Sequence, residues 1–288
     1  MEGSIQAPVR HPIPWREEDF WDQLSLDDEL RRVFDICHGC RRCFNLCDSF
    51  PQLFDVIDES ESGELDSVSS DTFPKIADSC TLCDMCFLTK CPYVPPHEFN
   101  IDFPHLMLRY RAIQFKNGDI PFVNKELTKT DRNGKNFGKI ASIVNWASNR
   151  ENLISRKILE TTCDVHRDAS LPEFQKETFV KKQKNAPPSI NTQAPAYGRK
   201  AVIYATCFVN YNNPSIGFAA QGVLNLNGVT TEVVYPSCCG MPQLEQGNIQ
   251  EVARSAEKVA KDLRSWVNDG NDIIALTPSC ALMLKFEW

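Results

Sequence analysis

Apolar residues recur with the period of an α-helix over much of the first half of the chain. In the first such stretch, Leu26, Leu30 and Val33 fall on one face. Four segments share this spacing and are predicted helices: 26–36, 99–115, 140–146 and 152–159. An acidic, serine-rich stretch at 58–71 lacks the spacing and predicts a solvated loop. This part of the chain is therefore predicted to be mainly helical, with a proline-containing arm over residues 1–30 ahead of it.

The pattern changes after residue 198. Three short runs rich in strand-forming residues alternate with two helices that have an apolar face. The strands are predicted at 200–206, 231–235 and 272–277, and the helices at 214–226 and 248–268. Strands that alternate with helices join by right-handed crossovers and form a parallel sheet. The preceding stretch, 181–198, combines Lys, Pro, Asn and Gly with few apolar residues, which predicts a linker.

Length and charge narrow the classes of protein that this chain can be. Its 288 residues suggest about two domains. There are 31 Lys and Arg against 38 Asp and Glu, a net charge of −7, which argues against a surface for nucleic acid or anionic lipid. The chain has no run of about 18 apolar residues, and residues 1–22 lack the apolar segment of a secretion signal. We therefore expect a cytoplasmic protein whose cysteines are reduced unless they bind metal.

The 13 cysteines fall into two groups and one isolated residue, Cys163. The first group consists of two runs: Cys37-x2-Cys40-x2-Cys43-x3-Cys47 and Cys80-x2-Cys83-x2-Cys86-x4-Cys91. This is the spacing of ferredoxins with two 4Fe–4S clusters, in which three thiolates of a run bind one cluster and the fourth binds the other. The resulting assignment is Cys37, Cys40, Cys43 and Cys91 for one cluster, and Cys80, Cys83, Cys86 and Cys47 for the second.

Four-thiolate zinc sites are the alternative for these two runs, since zinc also binds C-x2-C pairs. Zinc requires two pairs, however, rather than two runs of four with a proline, here Pro92, after the last ligand. The runs depart from the ferredoxin pattern because Asp48 replaces the usual proline and the spacing before Cys91 is one residue longer. Arg41 and Arg42 are expected on a solvated or docking face. Apolar neighbours are expected to shield the clusters from water: Phe34, Ile36, Phe44, Leu46, Leu82 and Phe87.

Four further cysteines follow the predicted strands. Cys207 comes after the first strand and Cys280 after the third. The pair Cys238 and Cys239 follows the second strand. Side chains just past the carboxyl ends of parallel strands converge at one crevice. We therefore expect these four thiols to meet in space and to form a second candidate cofactor site, rather than to be scattered core cysteines.

These segments resemble a family of iron–sulfur subunits. The two cysteine runs, with helical patterning around them, resemble the helical ferredoxin domain. Cys207, Cys238-Cys239-Gly240 and Thr277-Pro-Ser-Cys280 resemble the CCG cysteine-rich module. Both occur in the family that includes the iron–sulfur subunits of anaerobic glycerol-3-phosphate dehydrogenase, with relatives in glycolate oxidase and heterodisulfide reductase.

The resemblance implies the fold class: a mainly α helical ferredoxin domain followed by an α/β cysteine-rich module with a parallel βαβαβ sheet. The expected domains are an N-terminal arm (1–30), a ferredoxin domain with two 4Fe–4S clusters (31–115), a helical connector and linker (116–198) and the CCG module (199–288). Thr277 stands where the module usually has a cysteine, which leaves four thiols. The family generally has two such modules, so we expect an incomplete module and a fragment or truncated chain.

The resemblance implies a non-catalytic electron-transfer subunit. Two 4Fe–4S clusters, with a further iron–sulfur cluster at the CCG site, would relay electrons between a flavoprotein dehydrogenase partner and a quinone or another redox acceptor. The subunit would be cytoplasmic or peripheral at the inner face of the membrane, which it reaches only through a partner. The alternative is a heterodisulfide-reductase-like subunit with disulfide or redox catalysis at the CCG site, against which the missing cysteine at Thr277 counts. A third alternative is a zinc-stabilised interaction protein with no redox role.

Overall fold

The structure, a computed structural model, describes residues 3–185 and 189–288. The chain forms two units, Met1–Ile120 with Leu244–Ile249 and Pro121–Gln243 with Gln250–Trp288. None of the described helices has both the length and the apolar character needed to cross a membrane. Three residues of the predicted linker, 186–188, lie outside the described residues.

The first unit is helical around its cysteines. Its helices are α1 (Gln23–Cys40), α2 (Ser49–Asp58), α3 (Phe73–Asp78) and α4 (Phe103–Asn117). Short 3₁₀ turns lie at Asp19–Trp21, Leu65–Ser67 and Ser70–Thr72, and a π-helical turn lies at Cys86–Lys90. The predicted loop after α2 is only partly solvated, because Leu65 and Val68 in it are buried.

Helix α1 confirms the predicted apolar face and extends it. The side chain of Asp22 accepts the backbone N–H of Ser25 and so caps the first turn. Leu26, Leu30, Val33 and Phe34 are all buried. The helix continues past residue 36 and ends at Arg41, whose φ of 51° places it in the left-handed region. The added residues put Cys37 and Cys40 one above the other, since residues three apart share a helix face.

One aromatic side chain from each helix meets in the core of the first unit. Phe34 of α1 lies edge-on to Phe73 of α3, with 5.0 Å between ring centroids. Phe50 of α2 and Phe103 of α4 are 4.7 Å apart. These rings pack α1 against α3 and α2 against α4, and the first cysteine run occupies the end of α1 and the turn before α2. A glycine, Gly247, brings the segment 244–249 onto α4: its φ is +77°, and a Cβ there would lie 2.3 Å from the carbonyl oxygen of Arg111.

The second unit contains the three predicted strands, β1 (Lys200–Tyr204), β2 (Thr230–Val234) and β3 (Asp272–Ala275). They form a parallel sheet in the order β2-β1-β3, with Lys200 opposite Thr230 and Ala201 opposite Asp272. Residues 201–204 of the central strand are buried, as expected for a parallel strand covered on both faces. The predicted α/β module is confirmed.

The other helices of the described residues follow α4 along the chain. They are α5 (Phe122–Leu127), α6 (Thr130–Lys139), α7 (Ala141–Ser148), α8 (Leu153–Cys163), α9 (Phe179–Asn185), α10 (Cys207–Tyr211), α11 (Pro214–Leu226), α12 (Met241–Glu245), α13 (Ile249–Asn268) and α14 (Pro278–Leu282). A π-helical turn at Met283–Glu287 follows α14. The sequence pattern predicted neither α5 nor α6. Helix α6 is mostly polar and contains two glycines, so it lacks the spacing of apolar residues that marks a helix.

The segment ahead of β1 is anchored before the predicted linker begins. Phe179 of α9 is fully buried and lies edge-on to Phe218 of α11, with 5.1 Å between ring centroids. Gly217 leaves the space for this ring, since a Cβ there would lie 2.5 Å from it. The helix then continues to Asn185, so the first residues of the predicted linker are helical.

Candidate metal centres

The first centre is a cavity in the first unit. Cys37 and Cys40 lie on the last turns of α1, Cys43 lies in the turn that follows, and Cys91 comes directly after the π-helical turn. All four cysteines line one cavity, together with Ile36, Arg42, Phe50, Phe54, Pro92, Tyr93 and Ile101. The structure therefore brings the fourth cysteine of the second run to the first three of the first run. Of the predicted apolar shield, Ile36 lines the cavity, whereas Phe44 is 62% exposed.

Burial and mutual repulsion act together on these thiols. Burial raises the pKa of Cys37 well above its usual value, and the neighbouring Cys91, Cys43 and Cys40 raise it further. Burial likewise raises the pKa of Cys43 to about 12, with Cys91 next in effect. Burial and mutual repulsion disfavour four thiolates in one cavity. A bound metal offsets both effects, because its positive charge stabilises the deprotonated form of each coordinating thiol. The donor set therefore fits a metal cluster with four thiolate ligands.

The second set of thiols lies beside the first. Cys80 follows α3, Cys86 begins the π-helical turn, and Cys83 lies exposed between them. Burial raises the pKa of Cys80 to about 11, and Cys47 and Cys83 also raise it. Burial raises the pKa of Cys86 as well, followed by the effects of Cys80, Cys43 and Cys37. Cys47 and Cys83 thus act on the pKa of Cys80, and cysteines of both sets act on the pKa of Cys86.

The N-terminal arm contributes a residue that the sequence did not single out. Arg10 donates from Nη2 to Asp84 at 2.8 Å and from Nε to Asp102 at 2.9 Å. Its guanidinium lies 4.3 Å from the ring centroid of Phe87. Asp84 has a left-handed φ of 60° between Cys83 and Cys86, and its side chain is 1% exposed. Arg10 therefore holds the loop of the second cysteine run in place.

The arm also pairs with the backbone after Cys91. The backbone N–H groups of Ser4 and Val9 donate to the carbonyl oxygens of Pro92 and Pro95 at 2.8 and 2.9 Å. Proline has no N–H to donate but keeps its carbonyl as an acceptor. These bonds place the N-terminal arm along the residues that follow the second cysteine run.

The C-terminal centre lies at the carboxyl ends of the three strands. Cys207 begins α10 after β1, and Cys280 lies in α14 after β3. The pair Cys238 and Cys239 follows β2. The Sγ atoms of Cys207 and Cys238 are 3.8 Å apart, and those of Cys239 and Cys280 are 3.3 Å apart. The structure therefore brings these four cysteines together as two close pairs.

Hydrogen bonds within this centre favour one thiolate. Hydrogen bonds from Cys207 and Cys239 lower the pKa of Cys238 to about 3. The same bonds raise the pKa of Cys207 and of Cys239, because each thiol must keep its proton to donate.

The connector supplies a carboxylate to this centre. Oδ2 of Asp131, in the first turn of α6, accepts the backbone N–H of Cys238 at 3.1 Å. The hydroxyl of Tyr235 donates to the same carboxylate. The ring of Tyr235 lies edge-on to Tyr211, with 5.7 Å between centroids. No sequence signal marked Asp131, since it lies in a polar stretch with no motif.

Thr277 and Cys163 each contact a threonine hydroxyl. The hydroxyl oxygens of Thr277 and Thr206 are 2.9 Å apart, so Thr277 hydrogen-bonds across two strand ends. Cys163 ends α8, and Oγ1 of Thr162 lies 3.5 Å from its sulfur.

Over residues 3–185 and 189–288, no three His, Cys, Asp or Glu side chains lie close enough together to hold a single metal ion.

Parts of this chain are similar in sequence to known proteins. Residues 201–285 match the family of cysteine-rich CCG domains. The C subunit of anaerobic glycerol-3-phosphate dehydrogenase, in two strains of Escherichia coli, is 27% identical over 167 residues, which are 57% of this chain and 41% of the relative. Citrate utilization protein B of Escherichia coli is 35% identical over 89 residues, 31% of this chain and 21% of the relative. No solved structure matches.

The matches confirm the resemblance inferred from the cysteine motifs. The chain spans about two fifths of the length of the dehydrogenase subunits that it matches, 41%.

Proposed function

We propose that this chain is an iron–sulfur electron-transfer subunit of an oxidoreductase. Its first unit would hold two 4Fe–4S clusters, one at Cys37, Cys40, Cys43 and Cys91 and the other at Cys80, Cys83, Cys86 and Cys47. The observation that carries the proposal is the cavity lined by the first four of these cysteines, which come from both runs. When bound, such clusters store and pass on single electrons.

The surrounding residues suit this role. Phe50 and Phe54 contribute apolar surface to the cavity, which limits access of water to the thiols. The N-terminal arm covers the backbone after Cys91, and Arg10 fixes the loop between Cys83 and Cys86. An ordered ligand shell favours electron transfer, because little reorganisation accompanies a change of charge.

The C-terminal centre is proposed to hold a further iron–sulfur cluster at Cys207, Cys238, Cys239 and Cys280. Four thiols at the ends of three strands match the number of ligands of one cubane. The matching CCG family and the carboxylate of Asp131, which orders the turn at Cys238, support this assignment.

The partner is proposed to be a flavoprotein dehydrogenase. Two of the relatives are C subunits of anaerobic glycerol-3-phosphate dehydrogenase, and this supports a place in a complex with a dehydrogenase. By the same reasoning the acceptor would be a quinone or another redox protein. The chain would act in the cytoplasm or at the inner face of the membrane, held there by its partner.

Anaerobic purification of the whole chain, with iron, sulfide and zinc analysis and EPR of the reduced sample, tests the proposal. About eight irons per chain would support the two clusters, and about twelve would support the third as well. Cys91→Ser should lower the iron content and alter the EPR signal, whereas the matched variant Cys163→Ser should leave both unchanged. Stoichiometric zinc without iron would overturn the proposal in favour of a zinc-stabilised interaction protein.

Thiol–disulfide chemistry at the C-terminal centre is a second candidate function. The Sγ atoms of Cys239 and Cys280, 3.3 Å apart, favour it. In that reaction, these two thiols would be oxidised to one disulfide while a substrate disulfide is reduced to two thiols. Iron near eight per chain, with a Cys239–Cys280 disulfide found by mass spectrometry after turnover, would support this function. Iron near twelve would count against it.

A further inference from the structure

Arg111 is a buried cation beside the second cysteine run. It lies on α4 and is 9% exposed. Its guanidinium donates to the backbone carbonyl oxygens of Ala77 at 2.8 Å and Asp78 at 3.2 Å, and also to that of Cys80. A fourth bond reaches the carbonyl oxygen of Glu245 at 3.1 Å. In the described part of the chain, the hydrogen-bond partners of Arg111 are thus backbone carbonyls.

A buried guanidinium needs compensating negative charge. Taking a charge out of water is costly unless it is paired, and carbonyl dipoles compensate only part of that cost. Among the described residues, Arg111 contacts the backbone carbonyl of Glu245 and forms no ion pair with its carboxylate. The other candidate anions are the thiolates of the second cysteine run, which begins at a residue that Arg111 contacts directly.

We propose that Arg111 is the counter-charge of the cluster at Cys47, Cys80, Cys83 and Cys86, and that it raises the reduction potential of this cluster. This inference rests on the proposed clusters. Each added electron makes a cluster more negative, and a fixed positive charge in a region of low dielectric stabilises that reduced state. Arg111 therefore acts on this cluster by its charge, and its hydrogen bond to the carbonyl oxygen of Cys80 holds it beside the ligands.

The neighbouring arginines do not share this position. Arg41 is exposed and pairs with Asp58, so it fits the solvated face that the sequence predicts. Arg109 lies two residues before Arg111 on α4, and positions two apart face different directions on a helix. It donates to the carbonyl oxygen of Phe20 at 2.8 Å and to Oγ of Ser25 at 3.1 Å. Arg109 is therefore the matched control.

A redox titration of the whole chain, followed by EPR, tests the inference. The second cluster is identified as the signal that Cys83→Ser alters. The comparison is made at the potential where the second cluster is half reduced in the wild type. There, Arg111→Gln should lower the ratio of reduced to oxidised second cluster by about tenfold or more, which corresponds to a fall in its midpoint potential of about 59 mV for one electron. Arg111→Lys keeps the charge and should stay within about threefold, and Arg109→Gln should leave the ratio unchanged.

Each outcome decides the inference. A loaded Arg111→Gln protein with an unchanged ratio overturns it, and so does an equal shift of both clusters. If Arg111→Gln loses the second cluster or does not fold, the Arg111→Lys variant decides. An Arg111→Lys protein with two clusters and the wild-type midpoint potential supports the need for a positive charge at this position. Loss of the second cluster in Arg111→Lys as well overturns the inference. A wild-type chain without iron would instead overturn the proposed function, so the two failures are distinguishable.

Discussion

The carboxylate of Asp131 accepts the backbone N–H of Cys238 at 3.1 Å, although 107 residues separate the two in the chain. The same carboxylate accepts the hydroxyl proton of Tyr235. Helix α6 therefore holds the turn that carries Cys238 and Cys239. The connector, for which the sequence indicated no role in the chemistry, contributes to the shape of the C-terminal centre.

Asp131→Ala should destabilise the second unit by about 1–3 kcal/mol, because it leaves two donors, the N–H of Cys238 and the hydroxyl of Tyr235, without this acceptor. Urea unfolding under anaerobic conditions measures the change. The control is Asp168→Ala, since the side chain of Asp168 is 81% exposed and its loss should cost no more than about 0.5 kcal/mol. Equal effects of the two substitutions would contradict the role of Asp131.

Gly217→Ala and Gly222→Ala form a matched pair on α11. A Cβ at Gly217 would lie 2.5 Å from the ring of Phe179, whereas a Cβ at Gly222 would have no heavy atom within 4 Å apart from its chain neighbours and the nearby backbone of its own helix. We expect Gly217→Ala to destabilise the second unit by about 1–3 kcal/mol through overpacking. Gly222→Ala should instead stabilise it by about 0.5–1 kcal/mol, because alanine loses less backbone entropy in a helix. Chemical unfolding of both variants gives the comparison, and the same sign for both would refute it.

Arg10→Met should destabilise the first unit by about 3–5 kcal/mol, since it removes one partner of a buried ion pair. The side chains of Arg10 and Asp84 are 9% and 1% exposed. The N-terminal arm should also become sensitive to limited proteolysis. Arg16→Met is the control, because Arg16 is exposed on the same arm. An arm as protected as in the wild type would show that Arg10 does not hold it.

Asp58 should give the stability of the first unit a dependence on acid pH. Hydrogen bonds from Arg41, and then from His38, lower the pKa of Asp58 to about 2. Its unfolded pKa is about 3.9. The folded pKa is the lower one, so its contribution is present above about pH 4 and is lost as the pH falls towards about 2.

The measurement is the difference in unfolding free energy between the wild type and Asp58→Asn from about pH 6 to pH 2. This difference should shrink as the pH falls. Arg41→Gln should weaken the dependence, because it removes the first of the two donors. A difference that stays constant with pH would contradict the assignment.

The local patterns of the sequence determined many elements of the fold, although not α5 and α6. The buried face of α1 and the three parallel strands follow from the spacing of apolar residues, because helix and strand periods are properties of neighbouring residues. Because the carboxyl ends of parallel strands converge, the cysteines that follow the strands were predicted to approach one another, and Sγ of Cys239 lies 3.3 Å from Sγ of Cys280. The ends of elements were less determined, since α1 continues to Cys40.

Only the tertiary structure decided which charged residues surround the cysteines. Arg10, Arg111 and Asp131 lie 74, 31 and 107 residues from Asp84, Cys80 and Cys238, which they contact. A single long-range hydrogen bond leaves no periodic signal in the sequence, and each of these residues resembles an ordinary surface charge there. Their roles depend on burial. A charged side chain is well solvated in water, but its burial costs free energy unless it pairs with another group in the folded chain.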